Sequence, residues 1–306
     1  MRFADEGKVV IEVGLNETAW KDDNPNIPYE AEEIARSAID AAREGAAIIH
    51  YHARTSDGAQ AFTDDDISRR ALEAIAREVD VLAYPSYREA RLDHVWALAD
   101  KPPAGFAFQL SPFDVVQHVK RASWDESTKT FGVITYGRPG EEPERPPYPP
   151  ELDEFKRRGL VPNIAIFDSG DLRWTVLAAR AGLLDQPLNL KLFFSERWVS
   201  MNDPTPEVLD FLLSQIPDEV DFEAIVVPYA MESAERCDRL WLAALERGLG
   251  VRAGIGDSPR AFPTEANTEL VRRVVDLAGK QGRKPATPDD VRVRCGLPTH
   301  TEATNR

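Results

Sequence analysis

The sequence predicts a (β/α)8 barrel from three observations. Eight short runs of branched and apolar residues alternate with eight amphipathic stretches along 306 residues, the order that a closed parallel sheet wrapped by helices requires. Polar residues capable of chemistry gather just after the apolar runs, where the carboxyl ends of barrel strands would lie. No GxGxxG follows the first run, which weakens the structural alternative, a doubly wound open sheet that binds a dinucleotide. The length suits one barrel domain over residues 1–306, with an irregular insertion around 111–150 and a C-terminal extension at 284–306.

The elements follow in order. VVIEV at 9–13 is a buried strand that ends in GLNETAW. Residues 29–44 form the first helix: Pro28 marks its start, Ile34, Ala38, Ile39 and Ala42 give it an apolar face, and Gly45 stops it. AAIIHYHA at 46–53 is the second strand. The second helix covers 64–78, with Asp64, Asp65 and Asp66 at its start, where the helix dipole favours negative charge. VLAYPS at 81–86 is the third strand, a helix follows around 89–99, and GFAFQL at 105–110 is the fourth strand. The middle holds a strand–turn–strand at 122–137 and a proline-rich stretch at 138–150, read as a loop because the alternation resumes after it. Strands at 163–170, 188–194, 222–228 and 251–256 complete the set, with helices at 151–159, 171–182, 205–215, 264–280 and one running through Glu246. The tail beyond Arg283 packs outside the barrel or against a neighbour.

Composition narrows the function. Fifty-two acidic residues against 37 basic ones give a net charge of −15, the wrong field for nucleic acid or an anionic membrane. Cys237 and Cys295 are too few for a disulfide scaffold or a thiolate zinc site. There is no apolar signal region at the start and no run of membrane-spanning length, so a cytoplasmic protein is expected.

The most informative stretch is AAIIHYHAR at 46–54. Side chains on a strand alternate, so His50 and His52 share a face with Tyr51 opposed. Two imidazoles on one face at a strand end make half of a metal site; otherwise they are hydrogen-bonded polar residues. Glu17 follows the first strand, Ser86 the third, Asp168 and Ser169 the fifth, and Arg252 and Asp257 belong to the eighth. Strands one, two and eight are neighbours in a closed barrel, so Glu17, the histidine pair and Asp257 can converge. Taken alone, Glu17 is as well read as a solvated loop carboxylate, and Arg252 with Asp257 as a structural ion pair. His94, His118 and His300 stand alone and are read as surface or structural residues.

Several of these stretches together resemble the β-keto acid cleavage enzymes. They are the NETAW…NIPYE approach to the first helix, the GAAIIHYH strand, the RTSDG loop, NIAIFDSGDL and GLGVRAGIGD. The resemblance implies a (β/α)8 barrel with a zinc site, most often assembled as a homotetramer, that converts a β-keto acid and acetyl-CoA into acetoacetate and a new acyl-CoA. By motif position it implies His50 and His52 as metal ligands, Glu17 and Ser86 as substrate contacts, and Arg252 and Asp257 as a catalytic pair. One departure matters: Gly256 stands where the family carries a metal-binding glutamate, leaving Asp257, Glu17 or water to fill the gap. CoA phosphates would need basic partners, for which Arg54, Arg88, Lys120 and Arg121 are candidates. The alternatives are another metal-assisted C–C lyase or hydrolase on the same barrel, and a non-catalytic descendant that binds small molecules.

Overall fold

The computed structural model describes residues 2–87, 92–115, 122–133, 149 and 151–304. Eight parallel strands form the barrel: β2 (Ile11–Gly14), β3 (Ile48–Tyr51), β4 (Leu82–Pro85), β5 (Leu110–Asp114), β8 (Val161–Ile166), β9 (Leu188–Ser195), β10 (Phe222–Tyr229) and β11 (Gly250–Arg252). Their order around the sheet is β4-β3-β2-β11-β10-β9-β8-β5, and β4 packs on β5 to bring the ends together. β1 (Lys8–Val9) and β12 (Lys284–Pro285) form a separate parallel pair, and β6 (Ala122–Asp125) with β7 (Thr130–Val133) an antiparallel hairpin. The fold is the expected (β/α)8 barrel.

Helices α1 (Glu30–Arg43), α2 (Asp65–Ala76), α3 (Asp93–Asp100), α4 (Glu151–Arg158), α5 (Ser169–Arg180), α6 (Pro206–Ser214), α7 (Ala234–Glu246) and α8 (Asn267–Lys280) surround the sheet. Each buries its apolar stripe; on α1, Ile34, Ala35, Ala38 and Ala41 face inward. Asp64 caps α2 by accepting from the Asp66 and Ile67 amides, and Asp168 caps α5 by accepting from the Gly170 and Asp171 amides. Both acidic residues thus have structural duties at helix starts. No helix among the described residues is long and apolar enough to cross a membrane.

Three elements depart from the sequence reading. The first strand breaks at Val10 into β1 and β2. The fourth barrel strand is Leu110–Asp114 rather than 105–110. Pro112 has no amide hydrogen and argues against a central strand, but β5 is ladder-paired only with β8, at the seam. The tail folds back on the amino-terminal face of its own barrel through β12, α9 (Pro288–Arg294) and α10 (His300–Thr304). There the buried Arg292 meets Asp80 and Asp289, and Arg294 meets Asp221 and Glu223. Residues 89–91 of the third predicted helix, most of the 111–150 insertion, and His118, Arg88, Lys120 and Arg121 lie outside the described residues.

Candidate active site

The site forms at the carboxyl ends of β2, β3 and β11. Gly14 pairs in register with His50, His50 with Tyr84, and Glu12 with Arg252. Glu17 lies just after β2, and its carboxylate bridges the two imidazoles, at 3.1 Å from His50 Nε2 and 3.0 Å from His52 Nε2. All three are buried and offer ligand atoms within 4.8 Å of one another. Burial, with the Lys191 charge adding to it, holds His50 well below the usual imidazole range. Burial brings His52 down to about 4, so both rings are neutral and able to donate lone pairs.

The geometry rests on a supporting layer. His52 Nδ1 meets Gln60 Oε1 at 2.9 Å, which leaves Nε2 for Glu17, and Gln60 also donates to the Glu17 carbonyl. The Asn16 side chain clamps the His52 backbone at both its amide and its carbonyl. Glu17 itself has a left-handed backbone, φ 36°, a conformation that persists in a non-glycine residue only when its surroundings impose it. Arg54 is part of that imposition: it donates to the carbonyls of Glu17, Ala19 and Gly58 and lies between the Trp20 and Tyr29 rings. It is fully buried. Arg54 therefore cannot serve as a CoA phosphate partner, because its guanidinium is already committed to the loop that carries Glu17.

Arg252 links this cluster to a second one. It grips Asp257 at two points, Nη2–Oδ1 2.7 Å and Nε–Oδ2 3.1 Å, contacts Glu12 at 3.2 Å and also reaches the Glu17 carboxylate. Burial works against the Arg252 charge, and Asp257 and Glu12 outweigh it, keeping the guanidinium above its usual range. Burial pushes the Asp257 carboxyl up, against the pull of Arg252. Gly14 makes room for this pair, since a Cβ there would lie 2.4 Å from Arg252 Nη2. Gly256 packs on the Asn16 backbone, where a Cβ would come within 2.4 Å of the Asn16 nitrogen. No side chain of any length fits at 256 on this backbone, and the carboxylate beside the histidines is that of Glu17.

Ser86 is at the same end of the barrel, its amide donating to the Tyr51 carbonyl. Among the described residues its hydroxyl joins neither cluster. His94 faces the Ser86 carbonyl, and His300 faces Asp80. The sequence reading did not single out Glu12, Lys191 and Tyr84, which form a buried polar layer below the site. Glu12 accepts from Tyr84 at 2.7 Å and Lys191 at 3.3 Å, and Lys191 also contacts the Tyr84 hydroxyl. Burial disfavours the Glu12 charge, but Lys191 and Arg252 overcome it and hold its carboxyl below the usual range.

A family model for the β-keto acid cleavage enzymes matches residues 8–297. The 3-keto-5-aminohexanoate cleavage enzyme of Fusobacterium nucleatum subsp. nucleatum is 28% identical over 284 residues, covering 89% of this chain and 91% of that protein. The 3-dehydrocarnitine:acetyl-CoA trimethylamine transferase of Rhizobium meliloti is 24% identical over 305 residues, 93% and 94% of the two chains. Among solved structures the apo form of ObcA superposes with a TM-score of 0.63 at 16% identity, covering 89% of this chain and 66% of its own, a likeness of fold. The chain belongs to the β-keto acid cleavage enzyme family, as a divergent member.

Proposed function

We propose that the chain exchanges acyl groups between a β-keto acid and acetyl-CoA, giving acetoacetate and a new acyl-CoA, with zinc held by Glu17, His50 and His52. The observation that carries this reading is the Glu17 carboxylate, set between two Nε2 atoms at 3.1 and 3.0 Å and touching Arg252. Two neutral imidazoles and a carboxylate are a donor set of catalytic zinc that leaves a position for substrate. Among the described residues Glu17, and not Asp257, converges with the two histidines, and Gly256 has no donor, so Glu17 serves as the third ligand. When bound, the metal polarises the keto oxygen and offsets the negative charge of the β-keto acid.

The chain's own residues supply the rest. Arg252 stabilises negative charge that develops on oxygen as the bond beside the carbonyl weakens. Asp257 fixes the guanidinium plane by its two-point contact and can carry a proton beside it. Ser86, on the rim, contacts the substrate. Overall, the C2–C3 bond of the keto acid and the C–S bond of acetyl-CoA break. The carboxymethyl fragment joins the acetyl carbon and the released acyl group takes the sulfur, with no net change in protons or electrons. The acetyl-CoA partner is supported by the name of the Rhizobium meliloti relative. A cytoplasmic homotetramer of single-barrel chains completes the proposal.

The test is metal content per chain by mass spectrometry, wild type beside His50→Ala, followed by acetyl-CoA-dependent formation of acetoacetate from a panel of β-keto acids. About one zinc per chain, lost in the variant, together with CoA-dependent turnover is the expected result. No metal after reconstitution sinks the zinc mechanism. Metal with turnover indifferent to acetyl-CoA points to another metal-assisted lyase.

A further inference from the structure

Donors from three strands converge on one buried oxygen beneath the candidate active site. Glu12 Oε1 accepts from the Tyr84 hydroxyl at 2.7 Å, from Lys191 Nζ at 3.3 Å and from Arg252 Nη1 at 3.2 Å. Glu12 is fully buried on β2. Charges of opposite sign then alternate from Lys191 through Glu12 and Arg252 to Asp257, the last pair 2.7 Å apart. Tyr84 joins this layer to the histidines: the Lys191 ammonium lies 4.4 Å from its ring centroid, and the His50 ring 4.6 Å from it.

Stability does not account for this arrangement. A buried ion pair costs desolvation on both partners, and apolar residues of similar volume often hold a core as well or better. Geometry does account for it. Asp257 grips Nε and Nη2 of Arg252 from a turn that follows β11. Glu12 ties the other edge of the guanidinium, through Nη1, to a strand paired in register with Arg252 itself. A residue on a strand holds its partner more precisely than one on a turn. Lys191 gives Glu12 a second cation, so that Arg252 keeps its charge for the far side, where it meets Asp257 and Glu17.

We propose that Glu12, its charge balanced by Lys191, is the positioning residue that aims the Arg252 guanidinium at the negative charge developing on the substrate. This rests on the function proposed above. Glu12 acts through Arg252: a guanidinium anchored in advance does not have to reorganise as the charge appears, and that preorganisation lowers the barrier.

The test follows label from carbonyl-labelled acetyl-CoA into C3 of acetoacetate. In this identity exchange the C2–C3 bond of acetoacetate and the C–S bond of acetyl-CoA exchange partners, as the proposed reaction requires whatever the natural keto acid. The zinc-loaded full chain is compared with Glu12→Met/Lys191→Met, which removes both charges at similar volume. The variant is expected to keep its zinc, its melting temperature and its KM for acetyl-CoA, while kcat falls about 10- to 100-fold. Glu12→Gln/Lys191→Met retains an oxygen that accepts from Arg252 and should recover most of that loss. An unchanged kcat in the Met pair, a Gln variant no better than the Met pair, or a Met pair that sheds zinc or melts well below wild type overturns the proposal. In each of these cases the proposed function stands, because wild type still passes label. A wild type that passes no label to acetoacetate refutes the function, and the positioning role with it.

Discussion

Replacing Arg252 with methionine removes the one cation among the described residues that touches Glu12, Glu17 and Asp257 together. The side chain is 1% exposed, so water cannot take over the lost contacts. Methionine fills similar space without charge, and the cost is that of leaving buried carboxylates uncompensated, about 3–5 kcal/mol. Unfolding entropy of about 2.1 cal/mol/K per residue amounts to about 0.64 kcal/mol/K for this chain, so the melting temperature falls by about 5–8 °C. The assay is scanning calorimetry in chelator, which separates the packing effect from metal binding. pH supplies a second readout. Without Arg252 the folded pKa of Glu12 rises, and that of Asp257, already raised by burial, climbs further, so the penalty is full at high pH. It shrinks as pH falls through the raised folded values. The gap between variant and wild type should therefore narrow on acidification. A variant that melts within a degree of wild type, or a gap that stays constant between pH 8 and 5, would refute the view that Arg252 neutralises this site.

Further predictions follow from the supporting residues. Gln60→Leu takes the partner from His52 Nδ1 and should weaken zinc binding about 10- to 100-fold without unfolding the barrel, measured by competition with a chromogenic chelator. Gly256→Ala forces a Cβ into the Asn16 backbone and should cost about 1–3 kcal/mol in urea denaturation. Restoring a carboxylate by Gly256→Glu should therefore reduce zinc occupancy rather than raise it. Asp171 is buried and its carboxyl is pushed up to about 6 by burial, despite an amide hydrogen bond from Phe167. Its folded pKa lies above the unfolded one, so ionisation costs stability above pH 6 and the cost fades as pH falls towards 4. Asp171→Asn should raise the melting temperature at pH 8 and give no gain at pH 4.

The sequence made the barrel legible because parallel strands buried on both faces appear as unbroken apolar runs, and the helices between them as amphipathic ones. It misplaced the fourth strand for a local reason: Pro112 looks like a strand breaker until the seam that tolerates it is known. His50, His52, Arg252 and Asp257 were legible because each stands at a strand end beside a recognisable motif. Glu17 was visible as a polar residue after the first strand. Its place between the two imidazoles depends on a left-handed backbone and on Arg54, whose role as an internal brace no spacing reveals. Glu12 and Lys191 left a trace that could have been followed. Each is a charged residue inside an otherwise apolar strand, VVIEV and LNLKLFF, and a buried charge is retained only when it has a partner. The two sequences imply a pair of opposite charges in the lumen, and the tertiary structure adds what sequence could not, that Tyr84 and Arg252 complete it.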